Sequence, residues 1–194
     1  MPNIEIIKKL RQQTGVSLAL CQKALGEAEN DLEKAKELLR KWGQDLAGKR
    51  GGRSTNQGVI EAYIHPNKKI GVLVELRCET DFVAKNENFQ ELAHNLALHI
   101  AASNPLYVSE ENIPKEAIEK EKEIYKGQAE QENKPKEFTD KIVQGRIEKY
   151  KKNVCLLSQP YVKDNNITIQ DLINESIAKT GENITIGGFS RLEI

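Results

Sequence analysis

The chain has 194 residues, 29 Lys+Arg against 29 Asp+Glu and no formal net charge, which argues against a dedicated nucleic-acid binder with its basic excess. No apolar run approaches the roughly 18 residues of a membrane helix, and Met1 to Lys9 carry no secretory apolar stretch. The three cysteines, Cys21, Cys78 and Cys155, are odd in number and form no CxxC pair, so they indicate neither a disulfide framework nor a zinc site, and the expected compartment is a reducing cytoplasm.

Ile4, Ile7 and Leu10 fall at helical spacing, which Thr14-Gly15 breaks. Ser17 is placed to cap a second helix with apolar positions Leu18, Cys21 and Leu25, ended by Gly26. Asn30 with Glu33 resembles a capping box. Leu32, Ala35, Leu38, Leu39 and Trp42 then mark a third amphipathic helix closed by Gly43. Residues 1–47 are thus expected to form a small three-helix module with a marginal core.

Residues 48–57 read as a flexible basic linker. The run Gly48 to Gly58 contains four glycines and no carboxylate. Gly43 to Lys49 also spells GxxxxGK, the larger part of a phosphate loop. Arg50 stands where that loop needs a magnesium-binding hydroxyl, and the run follows a helix instead of a strand, so no nucleotide site is assigned.

Residues 58–194 read as the core domain. Val59 to Ile64 is strand-like, and His65-Pro66-Asn67-Lys68 supplies a turn. Ile70, Val72, Val74 and Leu76 then alternate with Gly71, Leu73, Glu75 and Arg77. This is an antiparallel hairpin over 58–78 with one face on a core. It delivers the chain to Thr80-Asp81-Phe82-Val83. Asp81 could cap a helical turn there and Phe82 could enter the core. Most aromatics are core, so the local pattern favours that reading; a carboxylate beside an aromatic at a connection held by rigid strands is the binding alternative.

A helix over 86–103 follows, with Phe89, Leu92, Leu96 and Ile100 as its buried stripe. His94 and His99 project from different faces and cannot form an i,i+4 metal pair. His99 borders the stripe as a packed or interface histidine, His94 is solvated, and His65 sits in the turn. No acid–base pair, nucleophile set or metal site stands out.

Residues 114–153 are expected to form a helical hairpin. Pro114 suits a first helical turn. Ala117, Ile118, Ile124 and Tyr125 repeat every seven residues, Asn133-Lys134-Pro135 interrupts, and Phe138, Ile142, Val143, Ile147 and Tyr150 line the return. Gln159-Pro160-Tyr161 is extended by proline chemistry. Thr168 and Asp171 form a capping pattern for a helix over 168–180 carrying Leu172, Ile173 and Ile177, stopped by Gly181. A last strand over 183–193 can join the hairpin as a third. The fold class is α+β: a three-helix module, then a three-stranded antiparallel sheet with packed helices and a projecting helical hairpin.

Several separated motifs, in order along nearly the whole chain, resemble the elongation factor Ts family. The most specific is Thr80-Asp81-Phe82-Val83-Ala84-Lys85-Asn86. The others are Asn133-Lys134-Pro135-Lys136-Glu137 followed by Ile142-Val143-Gln144-Gly145-Arg146, and Val154 to Val162, where a leucine pair precedes Gln-Pro and an aromatic. Leu10-Arg11-Gln12-Gln13-Thr14-Gly15 and Cys21-Gln22-Lys23-Ala24-Leu25 resemble that family's ubiquitin-associated-like module.

The resemblance implies a guanine nucleotide exchange factor for the GTPase elongation factor Tu, with no cofactor and no reaction chemistry of its own. It places Thr80, Asp81, Phe82 and Val83 near the partner's magnesium ion. It places Arg11 and Leu18 where the module docks, although Leu18 could be core and Arg11 only a solvated charge. Longer relatives carry two core halves and this chain one. That resembles the short form, in which two copies associate, so a homodimer through the open sheet face is expected. Cys78 would lie near its twin there or be a plain buried thiol. Two other readings remain open: a helical adaptor without exchange activity, and a ribosome- or RNA-associated factor using the basic linker.

Overall fold

The computed structural model describes residues 3–131 and 136–194, and the side chains of these except 130, 131 and 136–138. The chain opens with α1 (Ile4–Thr14), α2 (Leu18–Glu27) and α3 (Leu32–Arg50). The Asn3 carbonyl oxygen of the side chain accepts from the Glu5 N–H, and Gly15 closes α1 in the left-handed region at φ 69°. Ser17 Oγ accepts from the Leu20 N–H to start α2. The three helices bury Ile7, Leu10, Val16, Cys21, Ala24, Leu25, Ala35 and Leu39 as a core of their own.

The turn between α2 and α3 differs from expectation. Gly26 does not end α2, and the left-handed residues are Glu29 and Asn30, at φ 52° and 65°. Asn tolerates that conformation because its short polar side chain bonds locally. With Asn30 spent on the turn, Asp31 becomes the cap: its Oδ1 accepts from the N–H of Glu33 at 2.9 Å and of Lys34 at 3.1 Å. A carboxylate there also suits the positive end of the helix dipole.

Gly43 does not close α3 either. The helix runs on to Arg50 and takes in residues 48–50 of the expected linker. The glycine serves a close approach. A Cβ on Gly43 would lie 3.3 Å from the carbonyl oxygen of Asn174 and 3.4 Å from the Ala178 Cβ, both on α8 (Ile169–Thr180). Beyond this contact Leu46 and Ala47 pack on the main core. Arg40 and Gln44 reach the Asp171 carboxylate at 3.7 and 3.1 Å. The GxxxxGK run therefore lies inside a helix and cradles no phosphate.

The sheet is β1 (Gln57–Ile64), β2 (Ile70–Cys78) and β5 (Ile184–Glu193), in the order β1-β2-β5, with both pairings antiparallel. Period-two alternation sends Val72, Val74, Leu76 and Cys78 inward, against Phe89, Leu92, Leu96 and Ile100 of α5 (Glu87–Ser103). Each such large side chain contributes about 1.5–3 kcal/mol on burial. The opposite face leaves Ile60, Ile64, Leu73 and Leu192 exposed. Cys78 is fully buried on the inner side, so it does not lie at the open face where a twin could meet it. All three cysteines are free and buried.

α6 (Lys115–Gln131) and α7 (Lys136–Val154) form the helical pair, joined across by Arg146 Nη1 donating to Gln128 Oε1 at 2.8 Å. Val143 and Ile147 are buried, but Ile124 is 42% exposed, so the seven-residue pattern fails there. Pro114 precedes α6 and offers its carbonyl to the N–H of Ala117 and Ile118. The expected interruption at Asn133-Lys134-Pro135 and the side chain of Phe138 lie outside the described residues.

After α7 the chain makes a small hairpin that the sequence did not announce, β3 (Pro160–Tyr161) with β4 (Asp164–Thr168). The capping box of α8 forms as expected: the Thr168 hydroxyl and N–H both donate to Asp171, which returns its own N–H to the hydroxyl. Gly181 stops the helix at φ 75°. His99 is fully buried on α5. Its Nδ1 accepts from the Val162 N–H at 3.3 Å, so its Nε2 carries the proton and donates to Gln159 Oε1 at 2.9 Å. Among the described residues no helix is long and apolar enough to cross a membrane.

Candidate functional site: an exposed aromatic at the end of β2

β2 ends at Cys78, and the chain turns at once into α4 (Asp81–Ala84), a single helical turn. Thr80, not Asp81, is its cap: the residue is extended (φ −124°, ψ 157°) and its Oγ1 accepts from the Val83 N–H at 3.4 Å. A β-branched residue favours the extended backbone that a cap requires. Asp81 therefore becomes the first helical residue, with its carboxylate outward.

The turn sorts its side chains by burial. Ala84 is buried and Val83 packs partly against the main core. Phe82, by contrast, is 81% exposed. Burying such a ring yields about 1.5–3 kcal/mol, so a fold that leaves it in water forgoes that stabilisation. Asp81 Oδ2 meets Lys85 Nζ at 2.7 Å, one helical turn on. The hydrogen bond and charge of Lys85 hold the Asp81 carboxyl below its usual range, so it is anionic at neutral pH. An anionic oxygen pair and a bare aromatic ring thus stand side by side at the tip.

The root of the tip is tied down from far along the chain. Glu182, in the turn after α8, accepts the Thr80 N–H at Oε2 (3.0 Å) and the Thr80 hydroxyl at Oε1 (2.6 Å). Next to it Glu79 accepts the Asn183 N–H at 2.6 Å and meets Arg53 at 3.3 Å. That N–H, then Arg53, hold the Glu79 carboxyl below its usual range. Cys78 donates its thiol to the Thr80 carbonyl at 3.1 Å, and burial pushes that thiol's pKa up. None of these partners was visible in the sequence. Glu182 is 102 positions from Thr80, and nothing local marks a long-range acceptor.

The two module residues are surface residues. Arg11 is exposed in the last turn of α1. Leu18 opens α2 and is 48% exposed, so the core of the module is built on Val16, Cys21 and Leu25 without it. Of the histidines, His94 lies half exposed against Glu61 at 3.0 Å, and His65 meets the Tyr63 hydroxyl at 3.1 Å. Among the described residues no group of His, Cys, Asp or Glu is arranged to hold a metal. What the turn presents to solvent is the ring of Phe82 beside the Asp81 carboxylate.

Known proteins bear the same arrangement of sequence. A family model described as Elongation factor TS matches residues 5–194. Curated proteins named Elongation factor Ts align over nearly the whole chain. The one from Thermotoga petrophila is 53% identical, covering 99% of this chain and 96% of its own. That from Moorella thermoacetica is 52% identical, covering 97% and 93%. That from Acetivibrio thermocellus is 50% identical, covering 100% and 90%. With a match that leaves out only the first four residues, and with relatives at 50–53% identity over nearly the whole chain, the chain belongs to the elongation factor Ts family.

Proposed function

We propose that this chain is a guanine nucleotide exchange factor for elongation factor Tu, and that it releases GDP by pressing Asp81 and Phe82 against the partner's magnesium and phosphate site. The observation that carries this reading is the exposed ring of Phe82 on a turn fixed at its root. A GTPase holds GDP through backbone amides around the phosphates and through magnesium. An aromatic ring inserted beside that site gains burial energy only while the site stays open. Asp81 brings negative charge and acceptor oxygens toward the ion's water ligands. Thr80 and Val83 set where the turn stands on the strand.

Because coupling between two ligands is reciprocal, a factor that weakens nucleotide binding is itself displaced by nucleotide. Turnover then needs no covalent step and no cofactor. The N-terminal module docks on the GTPase with Arg11 and Leu18, the segment after α3 (residues 51–56) connects it, and the core domain carries the turn. The exposed Leu18 side chain supports the docking role. The same proposal places the protein in the cytoplasm and has two copies associate through the outer face of the sheet, where Ile60, Ile64, Leu73 and Leu192 are uncovered. An adaptor without exchange activity would bind elongation factor Tu and leave GDP release unchanged. A chase of labelled GDP from elongation factor Tu, with and without this chain, separates the two.

A further inference from the structure

We propose that Glu182 is a positioning residue for exchange: its carboxylate fixes Thr80 so that the Asp81–Phe82 turn projects from β2 in one direction. The proposal rests on the function proposed above and extends it to a residue from the other end of the fold. Phe82 is 81% exposed, so its own packing does little to fix its direction and the root of the turn does most of it. A single turn of helix cannot set that direction itself, since one turn is shorter than a stable helical nucleus.

The root is held at every polar atom of Thr80. Its N–H and hydroxyl donate to the two oxygens of Glu182, at 3.0 and 2.6 Å. Its hydroxyl oxygen also accepts the Val83 N–H, and its carbonyl accepts the Cys78 thiol and the Ala84 N–H. Only the Glu182 bonds reach outside the local chain, and both end on a carboxylate, which makes them the stronger members of the set. Glu182 is itself seated between the left-handed Gly181 and Asn183, whose N–H donates to Glu79. Two consecutive residues just after β2 are thus laced to two consecutive residues just before β5.

The test compares release of fluorescent GDP from elongation factor Tu by four full-length chains: unaltered, Phe82→Ala, Glu182→Ala and the double variant. Glu182→Ala is expected to lower the maximal release rate about tenfold, the value of a lost charge-assisted pair. The half-saturating concentration should stay within about twofold, because binding surface is untouched. In the Phe82→Ala background, Glu182→Ala should cost less than about twofold, since a residue acting through the ring has nothing left to position. Glu182→Gln keeps one acceptor oxygen and should fall between; it carries the same test should the alanine variant not fold. Release at the unaltered rate by both Glu182 variants, beside a slow Phe82→Ala, overturns the proposal. So does a full, additive loss in the double variant, which would mark damage unrelated to the ring. A Phe82→Ala chain that exchanges normally defeats instead the underlying reading of the turn.

Discussion

At the scale of single residues, the informative feature is a mismatch between type and environment. Phe82 is a core-type residue in water, and His99 is a titratable residue in the core. In the proposed function the ring of Phe82 acts against a partner. Its removal in Phe82→Ala should slow partner GDP release about tenfold to a hundredfold, the equivalent of burying one aromatic side chain, and should leave thermal unfolding of the isolated chain nearly unchanged. His99 makes the opposite prediction. Burial lowers its pKa from the model-peptide value of 6.5, with the Gln159 bond acting against that. Below about pH 6.5 the unfolded chain therefore binds a proton that the folded chain refuses, so stability falls as pH drops from there toward the folded pKa. Denaturant unfolding at pH 7.5 and pH 5.5 should show this loss, and a His99→Gln chain should show a smaller one. A pH dependence equal in both chains would contradict it.

At the scale of elements, glycine was the residue whose meaning the sequence hid. Gly15 and Gly181 are left-handed helix stops, at φ 69° and 75°, and their position after an apolar period announced it. Gly26 and Gly43 carry the same local signature and are interior to helices. For Gly43 the reason is tertiary: α8 comes from more than a hundred residues later and needs the missing Cβ. Spacing within a window cannot report a partner outside it. The capping box of α8 and the alternation of β2 were legible because both are local; β3 and β4 were not, since strands of two and five residues are too short to show a period. Gly43 also sets a contest of magnitudes. Ala there gains about 1 kcal/mol of helix propensity but meets neighbours at 3.3 and 3.4 Å, so Gly43→Ala should be near neutral. Gly43→Leu should cost about 1–3 kcal/mol by overpacking. Chemical denaturation of both variants checks the pair, and an unaffected Gly43→Leu would mean that α3 and α8 do not need their close approach.

At the scale of the whole molecule, the sheet has one face on α5 and one face bare. The bare side groups Ile60 and Ile64 of β1 with Leu73 of β2 and Leu192 of β5, adjacent in the register Ile64–Gly71–Leu192 and Ala62–Leu73–Ser190. Apolar side chains gathered on one exposed surface favour association. If two copies join there, Leu73→Glu should shift sedimentation at micromolar concentration to the monomer while leaving unfolding of the monomer little changed. Unaltered sedimentation of a paired species would place the contact elsewhere. Thr80 to Val83 are marked in the sequence by the family resemblance and not by their local pattern, which suits a cap and a core aromatic as well. Glu182, Glu79 and Asn183, which hold the turn, come together only when α8 returns the chain to β2.

The central claim is that one ring opens a magnesium-held nucleotide site, and magnesium is the variable that tests it. Release of fluorescent GDP from elongation factor Tu should be followed with the unaltered chain and with Phe82→Ala, first in millimolar magnesium and then after chelation. The account predicts a large deficit for Phe82→Ala in magnesium that shrinks once the ion is removed; equal release rates by the two chains in magnesium would contradict it.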